Sequence, residues 1–141
     1  YFIYLYEDAE SGNGRFFSFD LLADYATCVD HSGTFTCSDS YGINTFLPGY
    51  VANGGYLAGS WYAELEGGSA TGVKAPLTEG TVTVTLNGDG TQTYTFDCKD
   101  DMGNKITGSV TATPFSSGYA LSKDAEKNKS YKIELPKRVV R

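Results

Sequence analysis

A chain of 141 residues, 40% apolar and 14% aromatic with 17 glycines, is long enough for one domain with a sizeable core and too rich in rings for a disordered segment. The net charge of −6 conceals two unlike parts: residues 1–122 hold four basic side chains (Arg15, Lys74, Lys99, Lys105) against 14 acidic ones, near −10, and residues 123–141 hold seven against three, near +4. An acidic body repels phosphate backbones and so argues against nucleic acid as a partner of a single domain spanning 1–122, while the basic tail at 123–141 reads as a solvated end with a last strand in it.

The first run, YFIYLYE at 1–7, is apolar at both parities. Such a strand is covered on both sides, or one of its faces carries exposed rings. It is strand-like from the first residue and does not begin with Met, which reads as a processed or trimmed chain. EDAESGNGR then breaks the pattern with turn residues, and RFFSFDLLAD alternates again. Phe17, Phe19 and Leu21 fall on one face there, and Phe16, Ser18 and Asp20 on the other, so a hairpin is expected.

Residues 24–58 are less regular. SGTFTCS reads as a short strand, and DSYGINTFLPGYVANGGYLAG as a long excursion of the kind that often carries binding residues. SWYAELEGG restores alternation, with Trp61, Ala63 and Leu65 on one face and Tyr62, Glu64 and Glu66 on the other. The clearest signal follows. Val82, Val84 and Leu86 alternate with threonines, Asn87-Gly88-Asp89-Gly90 supplies a turn, and Tyr94, Phe96 and Cys98 alternate in the next strand. After DDMGN, KITGSVTA places Ile106, Val110 and Ala112 on one face. No stretch has helical periodicity. The expected fold is all-β, an antiparallel meander of about seven or eight strands closing as a β-sandwich or a lipocalin-like up-and-down barrel.

Few residues carry chemistry. Asp100-Asp101-Met102-Gly103-Asn104 offers oxygens, but it lacks the alternate-position spacing of a calcium loop, and it reads as a bend between strands. Three cysteines make an odd set: Cys28 and Cys37 are spaced for a disulfide across a short loop, and Cys98 reads as a small buried apolar residue. His31 is the single histidine and no C-x₂-C occurs, so no metal site is expected. Beside Ser32 and Asp30, His31 reads as a solvated loop residue, because neighbours on an extended chain point apart. The carboxylates Glu64 with Glu66, or Asp97 with Asp100, are the candidates for a glycosidase pair; Glu64 and Glu66 lie on the polar face of an alternating strand and are explained as a solvated face. No nucleophile elbow or phosphate-cradling loop is present, so neither an enzyme nor a cofactor is expected. What remains is a set of rings in and after the excursion. Tyr41, Phe46, Tyr50, Tyr56, Trp61 and Tyr62 lie among Asn44, Asn53 and Asp39, a mixture suited to stacking on sugar faces or anchoring a protein interface.

The sequence GSWYAELEGG…GTVTVTLNGDGTQTYTFDCKDDMGNKITG, with FFSFDLLAD and LPGYVANGGYLAGSWY before it, resembles surface-exposed lipoproteins of gut Bacteroidetes over residues 1 to 113. The resemblance implies an all-β module at the outer membrane, facing outward and tethered through an N-terminal lipidated cysteine that is not in this chain. It implies no catalytic residue. The resulting expectation is a non-enzymatic module that binds a glycan or peptide, or docks as an accessory subunit on an outer-membrane nutrient-uptake complex. The alternatives are a structural or adhesin subunit of a surface assembly, and a barrel carrying a small apolar ligand.

Overall fold

The computed structural model describes residues 2–8, 10–23, 32–115, 118–120 and 130–133, and these contain no helix. Cys28 and His31 lie outside the described residues. The strands are β1 Phe2–Asp8, β2 Asn13–Leu22, β3 Gly33–Cys37, β4 Thr45–Phe46, β5 Tyr50–Val51, β6 Leu57–Ala58, β7 Trp61–Glu66, β8 Ser69–Leu86, β9 Gln92–Asp100, β10 Lys105–Phe115, β11 Gly118–Ala120 and β12 Ser130–Ile133. The chain is all-β, as the alternation requires.

The hydrogen-bonded ladder closes on itself. β1 pairs with β2, β2 with β7, β7 with β8, and the meander β8–β9–β10 continues through β11 back to β1. All of these pairings are antiparallel except β1 with β11, where Leu5 faces Tyr119. β3 and β4 fill the gap that opens when β8 leaves β7: β3 pairs with residues 81–84 of β8, and β4 joins β3 to the end of β2. The result is barrel-like, built of two sheets that β2, β8 and β10 both traverse, which is how strands turn corners in such folds. In the tail, β12 adds along Ile106–Ser109 of β10.

β8 is longer than alternation suggests. Its first half, SATGVKAPL, lacks period-two patterning because it holds Gly72 and Pro76, yet it pairs with β7 through Trp61↔Pro76 and Ala63↔Lys74. A register shift between Leu77 and Glu79 then turns the strand. Gly80 sits just beyond with φ of 110°, and an added Cβ there would run into the Asp97 carbonyl and the Cys98 Cα. Only glycine tolerates that approach and that angle.

The meander follows the sequence closely. Val82, Val84, Tyr94, Phe96, Cys98, Ile106, Val110 and Ala112 are buried. Leu86, expected on the same face, is 40% exposed because it lies where the strand runs out into the turn. On the opposite face hydroxyls pair across strands, Thr34 with Thr83 at 3.0 Å and Thr93 with Thr111 at 2.9 Å, a pairing that suits β-branched residues on a pleated surface. The bend after β9 is organised by Asp100. Its carboxylate accepts the N–H groups of Met102 and Asn104 and the Asn104 side-chain amide, each at 2.9 Å, so the buried charge is occupied by donors of its own turn.

The interior is filled by rings. Phe17 lies 4.5 Å from Phe96 and 5.3 Å from Tyr62 between centroids, and Phe19 meets Phe46 edge-on at 5.9 Å. β7 contributes to this core with the parity opposite to the one its composition suggests. Tyr62, not Trp61, points inward. Glu64 follows it on that face, where Tyr62 donates its hydroxyl hydrogen to Glu64 Oε1 at 3.1 Å. Arg15, the cross-strand neighbour of Glu64, binds Glu7 through both Nε (3.2 Å) and a terminal nitrogen (3.0 Å). Charged residues thus end the apolar stack: on the face expected to be solvated, Tyr62 is buried, Glu64 is half-buried against it, and Glu66 at the strand's end is exposed.

Candidate functional site

The ladder register brings large and small residues together on the outer face of β1, β2 and β7. Tyr4 faces Ser18, and Ser18 faces Trp61; one row on, Tyr6 faces Phe16, and Phe16 faces Ala63. In each row a small side chain lies beside rings. Ser18 and Ala63 therefore form a floor, and Phe2, Tyr4 and Phe16 form a wall, around a groove of about 240 Å³. Phe2 and Tyr4 stack nearly parallel at 5.8 Å, Tyr4 and Phe16 at 5.9 Å, and Phe16 meets Tyr6 at 4.9 Å, so the wall is a continuous ladder of rings. Rings held on strands are positioned more rigidly than rings on loops.

The excursion supplies the opposite side. The chain leaves the barrel at Pro48 and returns at Ser60, which form a parallel bridge, and between them β5 and β6 make a small hairpin. Leu57 and Gly59 reach into the groove. Trp61, Ser18 and Ala63 point away from the core yet are only 3%, 9% and 3% exposed. The Trp61 indole N–H donates to Ala58 O at 2.7 Å, which pins the ring beneath the hairpin. On the hairpin's other side Trp61 borders a second, shallower recess of about 260 Å³ with Tyr50, Val51, Pro76, Thr78 and Asp101.

Among the described residues, no charged side chain lines the first groove. One carboxylate lies next to it: Asp20, opposite Phe2, which burial holds above the usual carboxylate range. Burial, with Tyr6 and Asp20 adding to it, also raises the Tyr4 hydroxyl. The groove thus presents apolar faces with the Ser18 and Tyr4 hydroxyls among them, a combination that packs against flat apolar surfaces and bonds to hydroxyls.

The six rings expected at the site divide three ways. Phe46 and Tyr62 are core residues, 0% and 1% exposed, because β4 and β7 turn them inward, and neither offers a ring to solvent. Trp61 and Tyr50 both line the second recess, and Trp61 also backs the first. Tyr56, 73% exposed, stands on the hairpin, and Tyr41, 67% exposed with φ of 58°, belongs to the separate loop between β3 and β4. Phe2, Tyr4 and Phe16 were not singled out in the sequence. Their signal was the run of apolar residues at both parities of β1, with its rings Phe2, Tyr4 and Tyr6 on one of them, which leaves one face without core to cover it.

The cysteines do not join the site. Cys37 is a half-buried free thiol and Cys98 a buried one. Burial pushes Cys37 up to about 11 and Cys98 up to about 12, so both are poor nucleophiles at neutral pH. The partner suggested for Cys37, Cys28, is among the residues not described. Among the described residues, no group of three or more His, Cys, Asp or Glu side chains converges as metal ligands.

No family model, no curated protein and no solved structure matches this chain.

Proposed function

We propose that this protein is a non-catalytic module that binds an uncharged glycan in the groove between the β1–β2 rings and the β5–β6 hairpin. The observation that carries this reading is the ring ladder Phe2–Tyr4–Phe16, on an outer face that a folded chain normally makes polar, beside a floor of small residues. A sugar presents an apolar face and a rim of hydroxyls. The rings match the first, and the Tyr4 and Ser18 hydroxyls with the Asp20 carboxylate match the second. Among the described residues the lining holds no cationic side chain to balance an acidic sugar, and the chain's net charge is −6. In keeping with the resemblance to surface lipoproteins, the module acts at the outer membrane, displayed outward from a lipid anchor beyond this chain.

Trp61 is the single tryptophan and backs both recesses, so its fluorescence reports occupancy. Titration with a panel of neutral oligosaccharides is expected to shift that emission saturably for at least one member. Phe2→Ala with Phe16→Ala abolishes the shift, whereas Tyr41→Ala, on its separate loop, leaves it unchanged. A panel without response, or a response that survives the double substitution, rejects this site.

A second reading, docking on a protein partner in an uptake complex, has its own support. Tyr50, Val51, Tyr56 and Leu57 leave 39% to 73% of their surface exposed on one small hairpin. Stoichiometric copurification that Tyr56→Ser disrupts and Phe2→Ala does not would favour it over the glycan.

A further inference from the structure

The dipeptide Asn-Gly occurs three times, at Asn13-Gly14, Asn53-Gly54 and Asn87-Gly88. It is the sequence most open to cyclisation, because glycine offers no side chain to hinder attack by its own nitrogen. The fold treats the three unequally. Asn13 begins β2, and its Oδ1 accepts the Gly67 N–H at 2.8 Å. Asn87 donates its carboxamide hydrogens to the hydroxyls of Thr91 and Thr93, both at 3.0 Å, while its own N–H is held by Thr91 O at 2.9 Å. Asn53 is exposed, and no hydrogen bond to its side chain occurs among the described residues. It stands in the turn Ala52–Gly55, where the Gly55 N–H donates to Ala52 O at 3.1 Å and the Ala52 N–H to Tyr56 O at 2.7 Å. The ladder beneath that turn is two residue pairs long, Tyr50↔Ala58 and Val51↔Leu57. So short and exposed a ladder opens at little cost.

We propose that Asn53 is a site of deamidation, selected from three identical dipeptides by the fold. The Gly54 amide nitrogen attacks Asn53 Cγ, the bond from Cγ to the side-chain nitrogen breaks, and ammonia leaves. A five-membered imide remains. Water adds to one of its two carbonyls and opens the ring, giving aspartate or, with an extra atom in the main chain, isoaspartate. Water is the sole co-reactant and no redox change occurs. The product places a new carboxylate at the tip of the hairpin that carries Leu57 into the groove and Tyr50 into the recess beside it.

The test is incubation of the full chain at mildly alkaline pH, followed by peptide mass mapping with separation of aspartyl from isoaspartyl products. In the native protein Asn53 is expected to convert at least about tenfold faster than Asn13 or Asn87, each of which must first open locally. In urea the three rates converge, and Asn53→Gln removes the fast product without changing thermal stability. Native rates that match one another, a faster Asn13 or Asn87, or an intact Asn53 after the urea control has converted, would each overturn the proposal.

Discussion

The two faces of β1, β2 and β7 have similar residues and opposite fates. Inward, Ile3, Leu5, Phe17, Phe19 and Tyr62 are at most 2% exposed and pack against rings from β4 and β9. Outward, Phe2, Tyr4 and Phe16 stack on one another and remain open to a groove. Hydrophobicity does not separate the two sets. What separates them is what lies opposite: a closed barrel supplies partners on its inside, and on its outside, among the described residues, only the excursion folds over part of the surface. Rings inside are held by close packing, and rings outside line an open groove.

The sharpest break of that symmetry is Phe17→Ala. It removes a ring that touches Phe19, Tyr62 and Phe96, and is expected to cost about 3–5 kcal/mol in urea unfolding. Gly80→Ala attacks the corner that lets β8 serve both sheets. The positive φ and the approach to Asp97 O predict a loss of about 3 kcal/mol by the same measurement.

Tyr62→Phe keeps the inner ring and deletes its hydroxyl, for a cost of about 1 kcal/mol at neutral pH. Its clearer signature is in pH. Burial, with the Glu64 charge beside it, raises the Tyr62 hydroxyl well above its ordinary 10.0, so above pH 10 the folded chain keeps a proton that the unfolded chain releases. Stability from this group is therefore intact below pH 10 and is lost as the pH rises beyond it. The substitution is expected to flatten the alkaline limb of a melting-temperature profile; an unchanged limb would place the alkaline transition elsewhere. The smallest effect on stability belongs to the outer face. Phe2→Ala, at a ring already 48% exposed, is expected to change the unfolding free energy by less than about 0.5 kcal/mol while weakening the proposed glycan binding. An outer substitution as costly as Phe17→Ala would make the groove a part of the core.

Much of this fold was legible along the chain. The threonine–valine alternation from 80 to 112 identified the meander, and Phe17, Phe19 and Leu21 were assigned to a common face that the barrel buries. The bend at Asp100 was also readable, because an aspartate followed by Gly103 and Asn104 carries its own turn chemistry. The first half of β8 was not legible, since Gly72 and Pro76 erase the pattern there and pairing with β7 replaces it. The candidate site was half visible. The excursion was found, but of its rings Phe46 and Tyr62 went to the core, while the wall of the groove came from β1 and β2.

Local patterning alone determined that this chain forms strands, where most of them turn, and which side chains share a face, because period-two geometry is a property of each strand by itself. The tertiary structure decided which face of β7 looks inward, which rings line a groove and which Asn-Gly pair is left unheld. Those outcomes depend on partners distant in sequence, such as Ser18 beside Trp61 and Gly67 beside Asn13, and no local rule encodes them.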